Sequence, residues 1–310
     1  MNIPDLVVII VGYNTRELTL QAVASARKAT AGLDARVIVA DNGSDGTARA
    51  VRDADPNVTV LVNADNPGYG AAVNRAAATQ RSAHVCAMNA DVVLEPESLV
   101  TLRRFLDANP TCGLVGPALA YPDGVPQASA KRFPTLGLAL GEVLGIHALA
   151  PRNRSVRRFY YEDQDLTRDT RVDTVSGAVM LLRAEAFDGV GRFDEAFRMY
   201  FEETDLCRRL HDSGHAVAFC PAARAIHQHG ASTRQTSVRQ VEYYLSYVRY
   251  FRKHHRRAAA AILRAAVAAG ALARMAALVV KYPPVGSHRV ASLKQKEAAC
   301  ARLLRSLGSS

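Results

Sequence analysis

Short, unbroken apolar runs alternate with helically spaced stretches through the first 120 residues. The runs at 6–11, 36–40, 58–62 and 84–88 are β-branched or aliphatic, and none alternates in the manner of a half-exposed strand. Between them, residues 16–31, 47–52 and 70–80 carry helix formers or apolar positions at i, i+3 and i+4. Continuous apolar strands joined by single helices predict βα repeats, and so an α/β fold with a mostly parallel central sheet flanked by helices. Such sheets collect functional side chains at the carboxyl ends of their strands. Each run here ends in a polar cluster: Gly12-Tyr13-Asn14, Asp41-Asn42-Gly43-Ser44, residues 63–66, and Asn89-Ala90-Asp91.

Beyond residue 120 the pattern loosens. Prolines, a glycine and the basic stretch 152–158 make 121–171 irregular, which predicts an insertion covering the sheet. Residues 174–183 predict a long buried strand or a strand plus a turn. The acidic segment from Met199 to Leu206 leads into a helix that ends near Gly214, and 216–219 predicts a further strand. After Val238 the chain reads as helix to about Lys281. There Tyr243, Tyr244, Tyr247, Tyr250 and Phe251 recur at the spacing of a packed or interfacial face.

Residues 258–280 are mostly apolar but contain Arg264 and Arg274. With Arg257 and Lys281 these cations fall within a sector of roughly 120°. A centrally placed arginine costs about 2.5–3.5 kcal/mol on insertion scales, which favours an in-plane amphipathic helix over a span. The alternative is a helix packed on the rest of the chain or on a second copy. The expected division is 1–240, with halves at about 1–120 and 121–240, followed by a basic helical tail at 241–310.

Composition changes this picture in three ways. At 310 residues, with 49% hydrophobic and 22% charged positions, the chain has the makings of one large or two modest globular domains, which excludes disorder and collagen-like repetition. The formal charge of +10 is unevenly spread: from Arg249 onward 13 basic residues face only Glu297, while the first 248 residues hold 26 basic and 28 acidic groups. That argues against a basic globular domain made for nucleic acid and for a tail that meets something anionic, such as a membrane surface. The five cysteines are odd in number and scattered without a CxxC pair, which argues against a disulfide framework or a cysteine zinc site and suits a reduced cytosolic compartment. Residues 1–5 lack a basic leader region, and the run at 6–11 is too short for a signal sequence.

Several side chains are candidates for chemistry. Asp91 follows a buried strand, where a carboxylate can help hold a hard divalent cation beside phosphate oxygens; an Asx turn explains it equally well, and Asp41 has the same alternative. Three carboxylates crowd into Glu202-Glu203-Thr204-Asp205. Crowding raises carboxyl pKa values and makes a usable general base, whereas the plain alternative is an acidic helix start. His227 and His229 precede Gly230-Ala231-Ser232, and either could ligate a metal or serve the core.

In order, the segments Val11–Asn14, Ala40–Ser44, Asn66-Pro67-Gly68-Tyr69-Gly70-Ala71-Ala72-Val73-Asn74, Met88-Asn89-Ala90-Asp91, Val175-Ser176-Gly177-Ala178, Phe193-Asp194-Glu195, Tyr200-Phe201-Glu202-Glu203-Thr204-Asp205-Leu206 and His227–Ser232 resemble the family 2 glycosyltransferases of the GT-A fold. The likeness is to their bacterial rhamnosyltransferase-like branch and runs over about residues 5–255. It implies a GT-A type α/β fold with a C-terminal helical extension, and an inverting, metal-dependent transfer from a nucleotide-diphosphate sugar to a glycan or lipid-linked acceptor. The branch suggests rhamnose from dTDP-rhamnose, used in envelope polysaccharide assembly by an enzyme peripheral on the cytoplasmic face of the membrane.

The resemblance also distributes roles. Tyr13, Asn14, Asp41, Asn42 and Ser44 would line the nucleoside pocket, and Asn66, Gly68, Gly70 and Asn74 would close over the nucleotide, with Asn89 and Ala90 alongside. Asp91 matches the last position of the metal-binding DxD motif, for Mg²⁺ or Mn²⁺, although Asn89 stands where the first aspartate is usual. His227 would complete the metal or diphosphate site. Glu203 matches the catalytic base, while spacing alone leaves Glu202 and Asp205 open. Ser176, Gly177 and Ala178 would lie on the acceptor side. Lys131-Arg132-Phe133-Pro134 also looks family-like without a derivable role. The competing readings are a nucleotidyltransferase, which lacks its basic glycine-rich loop here, and a non-catalytic nucleotide-sugar-binding membrane scaffold; Gly12-Tyr13-Asn14 is not the GxGxxG of a dehydrogenase.

Overall fold

A computed structural model describes residues 3–151, 153–228, 236–281 and 290–308. The chain divides into two compact units. One comprises Met1–Phe133, Arg158–Arg198 and Glu202–Ser232; the other comprises Pro134–Arg157, Met199–Phe201 and Thr233–Ser310. The irregular stretch 121–171 is therefore shared between the two rather than forming one cover on the sheet.

The first unit opens as β1 (Leu6–Gly12), α1 (Arg16–Ala29), β2 (Ala35–Asp41), α2 (Thr47–Ala54), β3 (Thr59–Val62), α3 (Tyr69–Thr79) and β4 (His84–Asn89). It continues through β5 (Val92–Leu94), α4 (Ser98–Ala108), β6 (Cys112–Ala120) and β7 (Ala130–Lys131). Helices α5 (Leu136–Val143) and α6 (Ile146–Leu149) belong to the second unit, and α7 (Arg154–Phe159) straddles the boundary. Then come β8 (Thr170–Arg171), β9 (Thr174–Val175), β10 (Val179–Arg183), α8 (Ala184–Gly189), α9 (Glu202–Asp212) and β11 (Ala216–His227).

The main sheet runs β3-β2-β1-β4-β10-β6-β11-β5, with β8 added beside β11. Strands β1 to β4, β6 and β11 share one direction; β10, β5 and β8 oppose it. The unbroken apolar runs have a simple cause, since both faces of the sheet are covered. Leu6, Val8 and Ile10 of β1 point into one core with Ala22 and Ala26 of α1 and Leu99, Leu102 and Leu106 of α4. Val7 and Ile9 point into the other, with Val73 and Ala76 of α3, Phe187 of α8 and Leu206 and Leu210 of α9. The stretch 174–183 is two strands parted by Ser176-Gly177-Ala178, and the strand begun at Ala216 runs on to His227. All five cysteines are free thiols, four of them buried.

The second unit is helical: α10 (Thr236–His254), α11 (Arg257–Lys281) and α12 (Val290–Gly308) pack on one another, and α11 packs on α5. Its aromatic core explains the tyrosine spacing. Tyr247, Tyr250 and Phe251 are fully buried, and Phe201 stacks on Tyr247 with ring centroids 4.5 Å apart. Arg239 Nε donates to the Tyr200 hydroxyl at 2.9 Å, and Ser246 Oγ donates to the Met199 carbonyl at 2.7 Å. Tyr200 and Phe201 both hold φ at +65°, a left-handed backbone that bulky side chains adopt only when their surroundings enforce it.

Candidate active site

The strand ends meet as the sequence pattern predicts, because parallel pairing brings Gly12 opposite Asp41 and Val11 opposite both Ala40 and Asn89. Asn42 N donates to Gly12 O, and Ala90 N donates to Val11 O. The loops after β1 and β2 interlock further. Ser44 N donates to Asn14 Oδ1 at 2.8 Å, and a Cβ on Gly43 would stand 2.5 Å from Asn14 N, so only glycine admits this approach. Tyr13, next to this junction, stays exposed.

Asp41 is nearly fully buried and spends its carboxylate on the loop itself. Oδ1 accepts from Gly43 N at 2.9 Å and Oδ2 from Ala48 N at 3.0 Å, which anchors the start of α2. Asn42 donates to Gly68 O and accepts from Asn63 Nδ2, and Arg75 reaches Asn63 and Asp65. This chain of polar contacts joins the ends of β2 and β3 to the turn before α3. Residues 66–74 depart from the expectation of ligand-facing glycines. Gly68, at φ +98°, lies under the Arg198 carbonyl, a Cβ on Gly70 would strike Phe193, and Asn66 accepts from Arg198. Asn74 clamps the next segment, donating to Phe193 O and Glu195 Oε1 while accepting from Phe193 N. Gly68, Gly70 and Asn74 are thus engaged with protein, while Asn66 commits only its backbone carbonyl.

The segment after β4 carries the second group. Asn89 N donates to Ala178 O at 3.0 Å. Asp91 is buried, and its Oδ1 makes no hydrogen bond among the described residues. Antiparallel pairing of β5 with β11 sets Val92 against His227 and brings His227 Nε2 to 3.4 Å from that oxygen. The imidazole is buried as well, and its Nδ1 lies 2.9 Å from Gln127 Oε1. A buried, unsatisfied carboxylate oxygen beside an imidazole nitrogen fits a divalent cation. Two ligands bonded at about 2.1 Å in adjacent positions of an octahedral ion stand roughly 3 Å apart. Among the described residues no third metal-ligating side chain joins them, which leaves room for phosphate oxygens and water. His229 and residues 230–232 lie outside the described residues.

Helix α9 separates the three candidate bases. Asp205 is fully buried and bound to Arg209 Nε at 2.8 Å, which commits it to an ion pair. Glu202 is buried with Oε2 lacking a hydrogen-bond partner; burial, and then the charge of Glu203, push its pKa up to about 8, against a smaller opposing pull from Lys131. Glu203 is half-buried, and its Cβ lies 3.4 Å from where a Gly177 side chain would begin. Residues 176–178 form a small-residue shelf beside it: Ser176 N is held by Ser129 O, and Gly177 O accepts from the buried Tyr69 hydroxyl at 3.0 Å.

Lys131 thus finds a role as a positive charge near Glu202, while its neighbours are structural. Arg132 sits over Tyr161 at 4.1 Å and pairs with Asp163, and Phe133 packs edge-on against His211. Sequence reasoning missed Gln127 and Tyr69 as members of the site. Nothing local marks Gln127, which meets His227 only through the pairing of strands 100 positions away.

Residues 4–260 match the family model described as glycosyltransferase like family 2. Over 213 residues the chain is 34% identical to an N-acetylglucosaminyl-diphospho-decaprenol L-rhamnosyltransferase of Mycobacterium tuberculosis, covering 64% of this chain and 67% of that protein. It is 27% identical over 150 residues to rhamnosyltransferase WbbL of Escherichia coli K12, covering 46% of this chain and 52% of that one. A solved mannosyltransferase from Pyrobaculum calidifontis, in complex with GDP-mannose and Mn²⁺, shares the fold at a TM-score of 0.56 and 18% identity, covering 100% of this chain and 87% of that one.

Proposed function

The chain belongs to glycosyltransferase family 2, and from that premise we propose that it transfers rhamnose, with inversion, from dTDP-rhamnose to a lipid-linked glycan during envelope polysaccharide assembly. The rhamnosyl donor and the lipid-linked acceptor are supported by the rhamnosyltransferases it resembles, one of which is named for a decaprenol-linked acceptor. The observation that carries the reading is the connected sequence of contacts in the first unit. The Asp91–His227 pair adjoins Asn89, Asn89 holds Ala178, and the adjacent Gly177 faces Glu203.

In this mechanism Glu203 takes the proton from the acceptor hydroxyl. The freed oxygen forms its bond to the anomeric carbon as the bond from that carbon to the diphosphate oxygen breaks on the opposite face. Burial pushes the neighbouring Glu202 carboxyl up to about 8, which favours its neutral form near pH 7 and spares the base a second anion beside it. Gly177 keeps the approach to Glu203 open, and Tyr13 offers its ring to the base of the nucleotide. Asp91 and His227 would hold Mg²⁺ or Mn²⁺, which supplies neutralising charge to the departing diphosphate. The test is release of dTDP from dTDP-rhamnose in the presence of a polyprenyl-diphosphate N-acetylglucosamine acceptor. Acceptor-dependent release that EDTA abolishes is expected; release from another nucleotide sugar alone would overturn the donor, and EDTA-resistant turnover would overturn the metal.

The second unit supports a contact with an anionic membrane. Arg274, counted from sequence on the polar face of an in-plane helix, instead turns inward and donates to the Tyr244 hydroxyl at 3.0 Å. Ala260, Leu263, Val267 and Ala271 of α11 are buried on that side. The opposite face, Ala258, Ala261, Ile262, Ala265, Ala269, Leu272, Ala273 and Ala276, is exposed within a sector of roughly 120°. Exposed Arg257 and Arg264 border it on one side. By length and composition Arg257–Ala276 could also cross a bilayer. With Arg274 engaged inside the unit, a helix lying in the interface is the arrangement that keeps this packing.

A further inference from the structure

The contacts around His227 fix more than its position. Gln127 grips this residue twice: its Nε2 donates to the His227 carbonyl at 2.6 Å, and its Oε1 lies 2.9 Å from Nδ1 of the ring. A peptide carbonyl can only accept, so the amide nitrogen must face it and the amide oxygen must face the ring. That oxygen also only accepts, so Nδ1 carries the hydrogen. In a neutral imidazole the other nitrogen is then a bare lone pair. That nitrogen, Nε2, stands 3.4 Å from Asp91 Oδ1, itself an acceptor without a hydrogen-bond partner among the described residues. With the ring in that form two buried acceptors face each other, and a cation placed between them would be held by both.

We propose that Gln127 is the positioning residue that selects the Nδ1–H tautomer of His227 and so makes the Asp91–His227 pair a receptor for a divalent cation. Gln127 has a second anchor of its own, since its backbone N–H donates to Leu119 O at 2.8 Å at the end of β6. The residue that orients the ring is therefore fixed to the same sheet as the ring. The proposal rests on the reading of the pair as a metal site and adds the group that sets its ligand state.

Two measurements on the full chain test it. The first is nitrogen NMR of the histidine rings in metal-free protein at pH 8, with His227→Asn to assign the signal. Wild type is expected to show His227 with hydrogen on Nδ1 only. In Gln127→Leu the hydrogen should move to Nε2, where Asp91 can accept it. The second is titration with Mn²⁺ and dTDP, following free Mn²⁺ by electron paramagnetic resonance. Gln127→Leu should bind about 10–100-fold more weakly, the usual cost of removing a group that orients a metal-bound histidine. Gln127→Glu, which still accepts from Nδ1, should recover most of that loss, and thermal melts confirm that each variant is folded. Hydrogen on Nε2 in the wild type, or unchanged Mn²⁺ affinity in Gln127→Leu, overturns the role of Gln127. Wild type that binds no Mn²⁺ overturns the metal reading beneath it, whatever the tautomer.

Discussion

Three acidic residues on one turn of helix have three different fates, and the difference is burial and partners rather than chemistry. Asp205 is paired with Arg209, burial and the charge of Glu203 push the Glu202 carboxyl up to about 8, and Glu203 of the three is the one left half-buried beside the 176–178 shelf. Glu203→Gln should therefore lower kcat by about 10²–10⁴-fold with little change in donor KM, the usual weight of a general base. A parallel loss in donor binding would move the base elsewhere. Glu202 makes a separate prediction about stability. Its pKa rises from 4.5 to about 8 in the folded chain, so between those values the folded state binds a proton that the unfolded state has released, and stability falls as pH rises. The melting temperature of wild type should drop between pH 5 and pH 8 relative to Glu202→Gln; parallel curves would mean the carboxyl is ionised in place.

At the level of elements, what the sequence disclosed was set by how each segment is buried. β1, β2 and β4 are covered on both faces, and so their runs stand out unbroken. β6 did not, because Gly113, Gly116 and Pro117 interrupt it; Gly116 lies against Val175, where a Cβ would come within 2.8 Å. That the polar strand ends would lie together was legible because a parallel sheet places them at one edge. The individual jobs of Asp41, Gly70 and Asn74 were not, since their partners are Ala48, Phe193 and Glu195, contacts that only the folded chain creates. Helix α11 was legible as amphipathic, though not in which face it would bury. Ile262→Glu with Leu272→Glu on its exposed face should release the protein from phosphatidylglycerol vesicles in a flotation assay while leaving its melting temperature near wild type. Retained flotation would assign membrane contact to another surface.

Across the whole molecule, the charge asymmetry follows the functional reading. The first 248 residues are nearly balanced, with acids placed at the strand ends and on α9, while the excess of cations lies beyond residue 249. A division drawn at residue 240 from composition separates charge well and packing poorly. The three residues that precede Glu202 in the chain belong, by their contacts, with the C-terminal helices: Phe201 rests on Tyr247, Tyr200 on Tyr243, and the Met199 carbonyl on Ser246. A recombinant fragment ending at 240 would strip away that aromatic seat and free the two left-handed residues to unwind. Idle enzyme from such a fragment would then testify to a loosened run-up to α9, and a worker who blamed a missing lipid anchor would have misread it.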